Sequence, residues 1–94
     1  MNREEEKLIL KQHLIKYLNL LHVTAEEITD DMPMFREGLG LDSIDSIEMI
    51  VMFEREYGLK IENPKDGREI LQTINTMIDF IEKGRAAKAA EPQA

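Results

Sequence analysis

The apolar residues of this chain return every three or four positions and nowhere alternate at period two for the length of a strand, so the fold has to be built from helices. Asn2 followed by Glu5 reads as a capping box, and Leu10, Leu14, Tyr17, Leu18 and Leu21 then recur at helical spacing, which predicts a first helix over 3–21. From His22 to Leu41 the periodicity lapses, and Pro33, Gly38 and Gly40 punctuate a long loop in which Thr24 and Glu27 can cap one short turn. Connections of this length are uncommon in compact domains without a task, and Ile28, Met34, Phe35 and Leu39 are expected to pin this one to the core. Asp42 or Ser43 caps a second helix that runs to Tyr57 and stops at Gly58. Asn63-Pro64 opens a short segment to about Leu71, and Thr73 can cap a last helix, Ile74 to Lys83, stopped by Gly84. The expected fold is all-α, a small four-helix bundle of three long helices and one short, over residues 1–84. A disordered tail is expected over 85–94.

With 94 residues there is room for one domain and one modest core. No apolar run approaches the roughly 20 residues of a membrane helix, and the start Asn2-Arg3-Glu4-Glu5-Glu6 is unlike a signal peptide, so a cytoplasmic protein without membrane insertion is expected. There is no cysteine, which excludes disulfides and thiolate-metal sites; any thiol chemistry needs a thiol from outside the chain. The net charge of -7 is concentrated: residues 24–62 carry eleven acids against three bases, and the rest of the chain is close to neutral. Such a field repels nucleic acid and anionic membrane and attracts basic protein surfaces, although it also serves solubility.

The second helix carries more apolar surface than one core needs. Steps of about 100° from Ile44 put Met49, Ile50, Phe53 and Tyr57 on one arc, the natural core face. Ile44, Ile47 and Val51 fall on a second arc flanked by Glu48, Glu54 and Arg55. The second arc is either the margin of a wide buried face or an exposed recognition stripe edged by charge.

Single residues discriminate among chemistries. Ser43, where the loop meets the helix, can serve simply as a cap. It fails as a hydrolase nucleophile, because no Gly-x-Ser-x-Gly surrounds it and no triad can be argued with His13 and His22, which are expected at the surface. No stretch has the spacing of a calcium loop, so neither a catalytic constellation nor a metal site is expected. Met49 and Met77 are expected to fill the core.

At Gly38-Leu39-Gly40-Leu41-Asp42-Ser43-Ile44-Asp45-Ser46-Ile47-Glu48 the sequence resembles the acyl carrier protein family, whose signature is Asp-Ser-Leu at the junction of loop and helix after a Leu-Gly. The resemblance extends over roughly residues 4–83, through the loop with Phe35, Glu54-x-Glu56-Tyr57-Gly58-Leu59-Lys60-Ile61 and Ile78-Asp79-Phe80-Ile81. It implies a freestanding carrier of the fatty-acid or polyketide type, in itself no enzyme, that holds acyl groups as thioesters on 4'-phosphopantetheine attached to Ser43. The arm would be delivered from coenzyme A by a phosphopantetheinyl transferase, with Asp42 assisting the transferase and its magnesium. Further implied partners are acyl transferases, synthases or ligases with basic docking patches. These would meet Asp42, Asp45, Glu48 and Glu54, with Ile44, Ile47 and Val51 as the apolar part, and the carrier would act as a monomer. The family's acyl chain can tuck between the helices.

The sequence departs from the family pattern at Ile44, where leucine is usual, at Gly38, where an acid often precedes Leu-Gly, and at Arg55, where fatty-acid carriers frequently have an acid. The stretch Asn63-Pro64-Lys65-Asp66-Gly67 is also longer than usual. These changes bear on which enzymes the carrier serves. Two alternatives stay open: a carrier for aminoacyl or other specialised groups, and a non-covalent helical adaptor that uses the apolar stripe.

Overall fold

A computed structural model describes residues 2–35 and 40–90. Among them are four α-helices, α1 (Arg3–Leu18), α2 (Ser43–Tyr57), α3 (Pro64–Ile70) and α4 (Ile74–Ala90), with a single 3-10 turn at Ala25–Glu27 and no strand. The all-α, four-helix expectation therefore holds. Helix α1 packs on α2 and α4, and α3 packs on α4.

Each helix starts where its cap residue says it should. The Asn2 side chain accepts from Glu5 N at 2.8 Å, and the Asn63 side chain accepts from Lys65 N at 2.9 Å. Thr73 Oγ1 accepts from Thr76 N at 3.2 Å, while the Thr76 hydroxyl donates to the Ile70 carbonyl at 2.7 Å and ties the end of α3 to the start of α4. The turn at Thr24 forms its reciprocal box with Glu27.

The helix ends depart from expectation twice. Helix α1 stops at Leu18, because Asn19 takes the left-handed conformation (φ 54°) and the chain's next N–H, that of Leu20, returns to Ile15 O at 3.0 Å. Leu21 thus lies beyond the helix and is 78% exposed, while Leu20 packs against the core in its place. Helix α4 does not stop at Gly84 but continues to Ala90, so the chain from Arg85 to Ala90 is helical; residues 91–94 lie outside the described residues. Gly84 answers a packing demand instead. A Cβ there would lie 2.4 Å from Leu59 Cδ2 and 3.2 Å from its Cγ, and Leu59 is itself buried. Gly84→Ala gains up to about 1 kcal/mol of helix propensity but forces a buried neighbour to move, which costs about 1–3 kcal/mol. A lower urea midpoint is expected; a raised one would show that Leu59 moves aside freely.

Leu10, Leu14 and Leu18 of α1, Met49, Met52 and Phe53 of α2, and Ile74, Met77, Ile78 and Ile81 of α4 form the core. On α2 the buried arc is turned toward Met52: Met52 is fully buried, whereas Ile50 and Tyr57 are only partly so. The long loop is sewn down as anticipated by Ile28 and Met34, both fully buried, with Phe35 half-buried; Leu39 and Gly38 fall outside the described residues. Backbone bonds complete the seam, Met34 N donating to Gln72 O at 2.8 Å and Asn75 N to Asp30 O at 3.1 Å.

Charge also holds the loop. Lys7, nearly buried, donates to Asp30 at 2.9 Å, and Lys11 approaches the other Asp30 oxygen at 3.1 Å. The hydrogen bond from Lys7 holds the Asp30 carboxyl below its ordinary range against the opposing effect of desolvation, and Asp30 in turn raises the Lys7 ammonium. For a carboxyl depressed in the folded state, the associated stability is present above its ordinary pKa and is lost as pH falls through the folded one. Urea midpoints measured across the acid range should therefore fall less steeply for Asp30→Asn than for the parent. Identical slopes would mean that the ion pairs contribute nothing.

Candidate functional site

The junction between loop and α2 is organised by Asp42. Its Oδ1 accepts from Ile44 N at 3.0 Å and Asp45 N at 3.1 Å, and Asp45 Oδ2 accepts from Asp42 N at 3.0 Å, a closed capping box. Gly40, in the left-handed region at φ 69°, turns the chain into Leu41, which is buried. Of the two candidate caps it is thus the aspartate that caps, and Ser43 occupies the first helical position. Its side chain is exposed, and its hydroxyl has no hydrogen-bond partner among the described residues. Ser46, one turn on, is committed: its hydroxyl donates to the Ser43 carbonyl at 2.7 Å. The second Asp42 oxygen also has no hydrogen-bond partner among the described residues.

A free hydroxyl at a helix N-terminus is a suitable place for a phosphate ester. The positive end of the helix dipole stabilises the negative charge that such an ester carries. Among the described residues no base is hydrogen-bonded to the hydroxyl, and His13 is engaged elsewhere. That histidine is half-buried between α1 and α2, with Nδ1 3.1 Å from the Tyr57 hydroxyl and Nε2 3.6 Å from Glu56, and burial pushes the Tyr57 phenol up to about 12.

Beside Ser43 opens a groove of about 630 Å³. Its near wall is Ser46, Ile47 and Ile50 of α2, and its far wall is Ile61 with Gly67 and Leu71 around α3; Phe35 and Leu41 of the loop complete it, and Glu62 and Arg68 also line it. The far wall is not legible in the helical periodicity. The signal that could have pointed to it is a glycine inside a seven-residue helix.

The rest of α2 resolves the question of its second arc. Ile44 is 68% and Ile47 59% exposed, Val51 is half-buried, and the reading of a wide buried face is thereby excluded. Glu48, Glu54 and Arg55 flank the stripe in solvent. Asp45 is half-buried and committed to the cap, so the exposed acids of the stripe are Asp42, Glu48 and Glu54. The acidic excess of residues 24–62 is also partly compensated in space, because Asp30 meets Lys7 and Lys11. Glu48 and Glu54 on α2 have no ion-pair partner among the described residues.

Residues 16–81 match the model of the family described as "Phosphopantetheine attachment site". Proteins of this family carry a covalently attached 4'-phosphopantetheine, are not catalytic in themselves, and interact with a phosphopantetheinyl transferase and with biosynthetic enzymes. The match runs from the end of α1 to the body of α4 and takes in the long loop, the capped junction and both walls of the groove. By that match, over most of its length, this chain belongs to the family of phosphopantetheine-bearing carrier proteins.

Proposed function

We propose that this protein carries acyl intermediates as thioesters on a 4'-phosphopantetheine arm attached to Ser43 and delivers them to enzymes of fatty-acid or related lipid and polyketide biosynthesis. The observation that carries the reading is the Ser43 hydroxyl, exposed and unengaged among the described residues at the first position of α2, where Asp42 makes the cap. The arm supplies the thiol that a chain without cysteine lacks. The protein's own part is to position the arm, to shelter what it bears, and to be recognised.

Each part has a residue basis. Asp42 places one carboxylate oxygen on the helix N–H groups and leaves the other facing outward, where it is available to a transferase-bound magnesium. The groove beside Ser43 offers Ile47, Ile50, Ile61 and Leu71 to an apolar chain, and burial is worth about 0.8 kcal/mol per methylene. Ile44, Ile47 and Val51, with Asp45, Glu48 and Glu54, form the face offered to basic partner patches. Exposed charge of this kind speeds encounter and leaves dissociation fast, as a carrier that visits several enzymes requires.

The direct test is intact-protein mass spectrometry after incubation with coenzyme A, magnesium and a broad-specificity phosphopantetheinyl transferase, with fragmentation to place the adduct. One phosphopantetheine increment on Ser43 is expected; no increment beside a competent control carrier would favour the non-covalent adaptor. For the docking face, Glu48→Lys should slow loading roughly tenfold at low ionic strength, with the defect shrinking as salt rises. A defect independent of salt would count against an electrostatic role for this face.

A further inference from the structure

Gly67 is buried in the middle of α3, where glycine weakens a helix that is already short. The backbone does not require it, since the described glycines with positive φ are Gly40 and Gly58. Packing does not require it either. A Cβ at position 67 would touch Ile61 Cγ2 at 3.5 Å, an ordinary contact, and would meet no other described atom within 4 Å outside its own helical turns. Gly84 is the opposite case, its missing side chain being filled by Leu59. What lies in front of Gly67 is the groove that begins at Ser43.

We propose that Gly67 is a specificity-determining residue: by leaving the α3 wall without a side chain opposite Ile47 and Ile50, it sets the depth of the groove and hence the longest acyl chain the carrier can shelter. The occupant is the chain's own cargo, because Ser43, where the arm would be attached, lines the same groove. The inference rests on the carrier reading of Ser43 and goes beyond it to the choice of cargo length. Ile61 is the complementary position, since it provides the one atom that a side chain at 67 would meet first.

The test uses the full-length protein bearing the arm, loaded with saturated acyl chains lengthened two carbons at a time, and reads the urea unfolding equilibrium of each. In the parent, every methylene that enters the groove multiplies the folding constant by about four, the equivalent of about 0.8 kcal/mol, until the groove is full. In Gly67→Leu the rise should stop at a shorter chain, and exclusion of two methylenes lowers the folding constant of the longest sheltered form roughly tenfold to twentyfold. Gly67→Ala, which fits with ordinary contact, should shift the plateau in the same direction by less, and Ile61→Ala should move it to longer chains. If Gly67→Leu does not fold without cargo, these two variants decide. Plateaus that coincide with the parent's in armed, acylated protein, or a parent that shows no dependence on chain length, overturn the proposal alone. Absence of the arm from Ser43 overturns the carrier reading, and the proposal with it.

Discussion

Ser43→Ala should remain fully folded and gain no mass at all when incubated with coenzyme A and transferase. The two halves of this result have separate causes. Loading is lost because alanine has no oxygen to bear the phosphodiester. Folding is kept because the Ser43 hydroxyl bonds nothing among the described residues, while the cap is made by the Asp42 carboxylate at 3.0 and 3.1 Å. Removing an exposed, unengaged hydroxyl should change stability by no more than about 0.5 kcal/mol, less than loss of a true cap, which costs about 0.5–2 kcal/mol. Ser46→Ala is the matched control: it deletes a hydroxyl one turn away that donates to the Ser43 carbonyl, and it should still accept the arm. Persistence of the increment in Ser43→Ala would sink the assignment, and its loss in both variants would point to damage at the junction instead of removal of the attachment atom.

Phe53→Ala should have the largest effect on the fold, a loss of about 3–5 kcal/mol. The ring is fully buried, stands edge-on to Phe80 at 5.4 Å and lies tilted to Tyr57 at 5.6 Å, so its removal opens a cavity where α2 and α4 meet. Total stabilities of about 5–15 kcal/mol are usual, and a chain this short lies toward the lower end, so the loss would leave a substantial unfolded fraction. The measurement is the urea midpoint, expected to drop sharply with little change in slope. A loss under about 2 kcal/mol would show that Met49, Met52 and Met77, flexible and close by in the core, collapse into the space.

Much of the molecule is written locally and was readable. Caps and stops act through the few residues next to them, so Asn2, Thr24, Asn63 and Thr73 placed the starts of their elements, and Gly58 placed the end of α2. Ile28 and Met34 were legible as anchors because a long loop can be held only by its own apolar side chains. Local reasoning failed at two places, one because of a neighbour distant in sequence and one because of a turn beside the residue itself. Gly84 looks like a stop because glycine so often is one, and only the position of Leu59 shows that it is a notch inside a continuing helix. Leu21 continues the apolar period of α1 on paper, yet Asn19 turns the chain and leaves it in solvent.

The same division runs through the site. Sequence alone determined the all-helical architecture, the position of Ser43 at a loop-to-helix junction, the absence of any encoded thiol and the existence of a second apolar arc on α2, because periodicity, capping and composition are properties of neighbouring residues. Tertiary structure decided that Ile44 and Ile47 face water, that Asp30 is neutralised by α1, and that Ile61, Gly67 and Leu71 close a groove beside Ser43. Those outcomes depend on which surfaces meet across the bundle, and a solvated face, a paired charge or an open cavity is defined by atoms from segments that the one-dimensional pattern does not bring together.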